Sequence, residues 1–118
     1  MTKKCLLVIA LAILCNYNIY AQQSAVYTSE LVDFQKALTL YNSKQYLAAQ
    51  ALFDKIEDQA TDEVVKSDCA YYIANCAVRL NQQNADQLIS DFVEEYPTST
   101  KRNTAFVDVA DYYFPFVK

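Results

Sequence analysis

Few residues in this chain have side chains suited to chemistry, and their types point to binding rather than catalysis. There is no histidine among the 118 residues, which removes the commonest general base near neutral pH and the commonest metal ligand. Outside the apolar N-terminal segment only Cys69 and Cys76 carry thiols. On one helix they would stand about 10.5 Å apart along its axis, beyond the roughly 7 Å that a disulfide between them tolerates. Two thiols without an imidazole also fall short of a structural zinc site. Their type predicts small buried residues; the alternative is a disulfide, in an oxidising compartment, to another chain or to a further part of the protein. Carboxylates gather at Asp58, Asp62 and Glu63 and at Glu94 and Glu95. No spacing among them sets two facing each other across a cleft, as glycoside hydrolysis requires, and no loop has the spaced oxygens and glycine of a calcium site. They read as a solvated acidic surface. Arg79 is one of two arginines. Its planar fork is suited to holding a carboxylate through paired hydrogen bonds, or else to pairing with a nearby acid of the chain. The expectation is a non-enzymatic protein without cofactor or metal.

Composition narrows the frame that must hold these residues. Glycine is absent and 53% of residues are hydrophobic. Hairpin turns and phosphate-cradling loops need residues with positive φ, which glycine supplies without steric cost. Helices joined by short polar turns need far fewer of them. The formal charge is −4, a surface that repels a phosphate backbone, so nucleic acid is not an expected partner.

The N-terminus has the order of a secretory signal peptide. Met1–Lys4 is basic, Cys5–Cys15 is an unbroken apolar run, and polar residues lead to Ala21. The run is shorter than the roughly 20 residues of a membrane-spanning helix. Cleavage is expected after Ala21, so that residues 1–21 leave and the membrane is met only through this segment. Lipidation at Cys15 is a second reading, but Leu14 stands where lipoprotein processing wants a small residue. Without Lys3 and Lys4 the acidic excess grows, because no acid lies in the removed segment.

The remainder, 22–118, repeats itself at an offset of 36 residues. Phe34 corresponds to Ala70 and Phe106, Ala37 to Ile73 and Val109, Leu38 to Ala74 and Ala110, and Tyr41 to Ala77 and Tyr113. In the second half of the unit Ala49 corresponds to Ala85, Phe53 to Ile89 and Ile56 to Phe92. Within a unit these residues are three and four apart, which places them on one helix face. Polar stretches at 42–45 and 81–84 separate the helices, and such short connections make antiparallel neighbours. Thr28 or Ser29, Thr61, and Asn84 with Gln87 are expected caps, and Pro97 is a helix stop. The spacing predicts helices at about 29–43, 46–59, 62–80, 84–96 and 100–114.

Phe34, Phe106, Ala74, Ala110, Tyr41, Tyr113, Ala49, Ala85, Phe53 and Pro97 together resemble the tetratricopeptide repeat over residues 30–114. The resemblance implies an all-α right-handed solenoid of antiparallel helix hairpins, about two and a half repeats long. The unit is longer than the usual 34 residues, and the turn glycine of the family is missing. Tyr96-Pro97-Thr98-Ser99 is similar to a junction of bacterial envelope repeat proteins. With the leader, it implies an exported scaffold or adaptor, periplasmic or outer-membrane-associated, whose partners are envelope proteins or peptides. The alternative is a substrate-positioning repeat segment of a larger enzyme, or a membrane-tethered assembly protein.

In the family the first helix of each pair lines a concave groove. Carried over residue by residue, this implies Val32, Gln35, Thr39, Asn42 and Ser43 in unit one. In unit two it implies Asp68, Tyr71, Asn75, Val78 and Arg79, and in unit three Thr104, Val107, Asp111 and Phe114. The polar members, Gln35, Thr39, Asn42, Asp68, Tyr71, Asn75, Arg79 and Asp111, form the expected partner-binding groove. Tyr71, Asn75 and Arg79 are its centre. The last helix has no mate, so the expectation is that 22–118 is the leading piece of a longer repeat array, truncated on its C-terminal side, or that it completes itself by self-association through that helix.

Overall fold

In the computed structural model, which describes residues 29–113 and, apart from them, Lys3, every regular element is helical. The leader, its Cys15 and cleavage site, Thr28 and Phe114 lie outside the described residues. Helix α1 covers residues 29–42. It is followed by α2 (Tyr46–Gln59), α3 (Glu63–Arg79), α4 (Ala85–Glu95) and α5 (Arg102–Tyr113). All five begin and end within two residues of the expected bounds. The chain divides into two compact units, Met1–Val32 and Asp33–Lys118; the architecture below is that of the second.

The helices stop and turn without glycine by placing other residues in the left-handed region. At the end of α1 Lys44 has φ 61°. Its N–H bonds the Tyr41 carbonyl at 2.9 Å and that of Gln45 bonds Leu40 at 2.9 Å. The end of α3 repeats the device. Asn81 has φ 54°, with N–H bonds from Asn81 to Val78 and from Gln82 to Ala77. Both are Schellman closures, which satisfy carbonyls that a helix end leaves bare. Asparagine tolerates this conformation; a lysine there is strained by roughly 1 kcal/mol.

The caps differ from expectation at two places. Asp62, not Thr61, caps α3, its carboxylate accepting from the Val64 N–H at 2.7 Å. The shift is one residue and follows the stronger acceptor, which also answers the helix dipole. Asn84 makes no side-chain cap on α4, and Gln87 instead donates to Asp91 at 2.7 Å. Asn84 has φ −90° and ψ 9° rather than an extended backbone, so its side chain is not set against the N–H groups of the first turn. The fourth helix ends at Glu95, just before the Tyr96-Pro97 step.

Neighbouring helices run antiparallel. Tyr41 and Tyr46 meet beside the α1–α2 turn with ring centroids 5.5 Å apart, and Phe34 meets Phe53 at 5.6 Å, about two turns further along each helix. Helix α3 is central. One side of it packs Cys69, Ile73 and Cys76 with Ala37, Ala49, Phe53 and Ile56. The other packs Ala74, Ala77 and Val78 with Ala85 and Ile89. Its alanines and cysteines are small, so helices on both sides approach closely. The 36-residue correspondence holds in the environments of α2 and α4: Ala49, Phe53 and Ile56 are buried, and so are Ala85, Ile89 and Phe92. Burial of Cys69 and Cys76 in α3 leaves neither thiol exposed for a bond to another chain, and burial pushes the Cys76 thiol up to about 11. In α5 only Ala105 is buried, whereas Phe106, Val107 and Tyr113 are 53%, 55% and 46% exposed.

Gln50 of α2 fastens the α3–α4 turn. It exchanges two hydrogen bonds with Gln82, at 2.9 and 2.8 Å, and also donates to the Ile73 carbonyl at 3.3 Å.

Candidate interaction cleft

The C-terminal half of α3 carries Tyr71, Asn75 and Arg79 at four-residue steps, hence on one face. The three are linked by hydrogen bonds through Asn75. The Asn75 amide donates to the Tyr71 carbonyl at 3.0 Å. Its oxygen accepts from Arg79 Nη1 at 3.1 Å, and the Asn75 carbonyl lies 3.4 Å from the same nitrogen. Asn75 is therefore not the water-facing groove residue that was expected: it is 0% exposed. A buried amide is tolerated because both ends are bonded, and its effect is to hold Arg79.

Rings from three helices surround the Arg79 guanidinium. Its central carbon stands 5.3 Å from the centroid of Tyr41, 5.6 Å from Tyr46 and 5.5 Å from Tyr112, within the range of cation–π attraction. No carboxylate among the described residues forms an ion pair with it, so pairing with an acid of the chain is not its role. Arg79 also ends α3, where the helix dipole favours a cation. Burial pushes the Tyr41 phenol up to about 12, with the Arg79 charge pulling the other way.

The opposite wall comes from α5. The Tyr71 hydroxyl donates to the Asp108 carboxylate. Burial first, and that bond second, hold the Tyr71 phenol well above its ordinary value. Tyr112 approaches the Arg79 carbonyl through its hydroxyl at 3.5 Å. Between the walls is an open cleft of about 390 Å³, bounded by Tyr41, Tyr71, Asn75 and Arg79 on one side and by Asp108, Asp111 and Tyr112 on the other.

Four of the anticipated residues, Tyr71, Asn75, Arg79 and Asp111, thus border one cleft. The others lie elsewhere. Asp68, one turn before Tyr71, pairs with Lys101 at 3.3 Å, and Lys101 also lies over the rings of Tyr71 and Tyr72. Asp68 borders a second hollow of about 310 Å³ with Glu63, Glu95 and Tyr96. Gln35, Thr39 and Asn42 are exposed on α1, where Thr39 bonds back to the Gln35 carbonyl at 2.9 Å. Ser43, Thr104 and Val107 are exposed, as is Val32 in the other unit, but Val78 is wholly buried. Val78 packs against Ala85 and Ile89, so it belongs to the core and not to a groove.

Tyr46 and Asp108 were missed by sequence reasoning, Tyr112 was not placed in the groove, and Tyr41 was read only as core. Asp108 and Tyr112 share a four-residue spacing that could have marked the α5 wall. Tyr46 opens α2 and has no such signal.

Among the described residues no group of histidine, cysteine, aspartate or glutamate is arranged to hold a metal ion, and no helix is long and apolar enough to cross a membrane. The fold and cleft define an all-α helical protein with an arginine held among tyrosines at an open surface. The chain matches no family model, and no curated protein or solved structure matches it either.

Proposed function

We propose that this chain is an exported, non-catalytic adaptor of the bacterial envelope, built as a tetratricopeptide-like solenoid, that binds other proteins or peptides in the cleft at Arg79. One observation carries the reading. Among the described residues Arg79 donates hydrogen bonds only through Nη1, Nη2 and Nε have no acceptor there, and the residue borders the cleft. A guanidinium held in place by three rings and a buried amide, with donors to spare, is preorganised for a ligand carboxylate. Tyrosine and arginine are also the residue types that dominate protein interfaces. The solenoid reading draws support from the equivalent burial of positions 36 apart in α2 and α4, and the exported location from the leader-like order of residues 1–21.

The exposed Phe106, Val107 and Tyr113 supply a surface for self-association. A concentration-dependent shift in size-exclusion elution would reveal it; one constant monomer peak would count against it.

The adaptor reading is tested by crosslinked capture from native envelopes, comparing the wild type with Tyr71→Ala/Arg79→Ala. The expected result is a defined set of envelope proteins that the double variant loses while its circular dichroism stays helical. Identical captures would displace the cleft as the binding site, and no specific capture would overturn the function.

A further inference from the structure

The geometry points to a cleft that selects partner segments carrying both signs of charge, a carboxylate for Arg79 beside an ammonium or guanidinium for Asp111. This rests on the adaptor reading and names the chemistry of its partner. The cleft holds one cation, Arg79, against two carboxylates, Asp108 and Asp111. Asp108 already accepts from the Tyr71 hydroxyl. Asp111 is exposed and has no partner among the described residues.

A segment with acids alone would satisfy Arg79 but bring its charge into a space where carboxylates are in excess. A segment with bases alone would satisfy Asp111 and meet the guanidinium. Like charges brought together at a binding surface are costly, and that cost is the usual source of specificity. A segment with both signs answers each group in turn. The Arg79 donors not used on Asn75 take the carboxylate in fork geometry. Asp111, exposed on the α5 wall, takes the cation by charge. The cleft volume of about 390 Å³ lies near the low end of the ~300–1,000 Å³ of small-ligand sites, which suits two neighbouring side chains better than a folded surface.

The test uses the full chain and fluorescein-labelled twelve-residue peptides of alanine, glutamine and tyrosine. One pool carries a glutamate and a lysine, in either order and one to four residues apart. Three further pools replace the lysine, the glutamate or both by glutamine. Fluorescence anisotropy at low ionic strength should show the two-charge pool binding about two- to fivefold tighter than either one-charge pool. Arg79→Gln should abolish the preference for glutamate and keep that for lysine, and Asp111→Asn should do the reverse. The inference is overturned if the glutamate-only pool binds as tightly as the two-charge pool, or if the uncharged pool does. Absence of binding by every pool overturns it too. None of these failures touches the adaptor reading, which stands or falls on the capture of envelope proteins.

Discussion

Replacing Tyr71 with phenylalanine should loosen one helix and leave the rest of the fold intact. The phenyl ring keeps its packing against Tyr72 and Phe92, at centroid distances of 5.1 and 5.7 Å. What disappears is the hydroxyl that donates to Asp108. A hydrogen bond to a charged group is worth ~1.5–3 kcal/mol. Asp108 is only half buried and regains water once released, so the loss should be near the lower end, ~1–2 kcal/mol. Helix α5 has little else to hold it. It buries Ala105, packs Val109 partly against α3 and α4, is fastened at its start by Arg102 Nε donating to the Val93 carbonyl at 3.1 Å, and near its end sets Tyr112 against Arg79. An element with so few apolar contacts opens on its own before the whole protein unfolds. Native-state hydrogen exchange should therefore show α5 amides exchanging ~5–30 times faster in Tyr71→Phe, with those of α2 and α3 unchanged. Unchanged protection in α5 would refute the assigned role of the bond. Equal acceleration in every helix would refute the separate opening of α5.

Three further outcomes are expected. A double-mutant cycle on Gln50→Ala and Gln82→Ala, measured by urea denaturation, should return a coupling of ~1–3 kcal/mol from the two reciprocal bonds; a value under ~0.5 kcal/mol would mean that the pair is solvated away. Lys44→Gly should stabilise the protein by up to ~1 kcal/mol by relieving its left-handed backbone, and a lower urea midpoint would contradict that account. Glu57 is held above its ordinary carboxyl value by burial, then by Asp54, Glu95 and Asp58. An acid whose folded value is raised favours the fold below its unfolded value and loses that contribution as pH rises through the folded one. Glu57→Gln should thus raise the urea midpoint at pH 7 and give no gain near pH 4, while parallel pH profiles for the two proteins would exclude this.

The helices were legible because their signals agree. Apolar residues three and four apart, such as Ala49, Phe53 and Ile56, are broken by short polar stretches, and the same columns return as Ala85, Ile89 and Phe92. The cleft was legible only in part. Tyr71, Arg79 and Asp111 were expected at one surface, and they do border one open cleft. Asn75 misleads because a polar residue at that spacing reads as exposed, whereas its amide is satisfied inside α3 by groups four residues away on either side. Tyr46 and Tyr112 were invisible as partners of Arg79, since their approach depends on how α2 and α5 pack on α3. Cap positions failed at Thr61 and Asn84 for a local reason: an acceptor one residue later, or a backbone not extended for capping, decides the outcome. The absence of glycine hid the two left-handed turns, which Lys44 and Asn81 supply.

The cleft joins the most firmly held helix to the least firmly held one. Arg79 and Asn75 sit on α3, covered on both sides, and their positions are fixed by the same core that fixes the fold. Asp108, Asp111 and Tyr112 sit on α5, which buries one residue completely. The cationic side of the site is thus rigid and the acidic side depends on α5 staying docked. A ligand bridging Arg79 and Asp111 would bind the docked arrangement in preference to the open one, and would stabilise it by the same free energy that docking contributes to binding. Slower exchange of α5 amides in the presence of a saturating two-charge peptide follows from that reciprocity. A bound peptide that leaves α5 exchange unchanged would place its contacts on α3 alone.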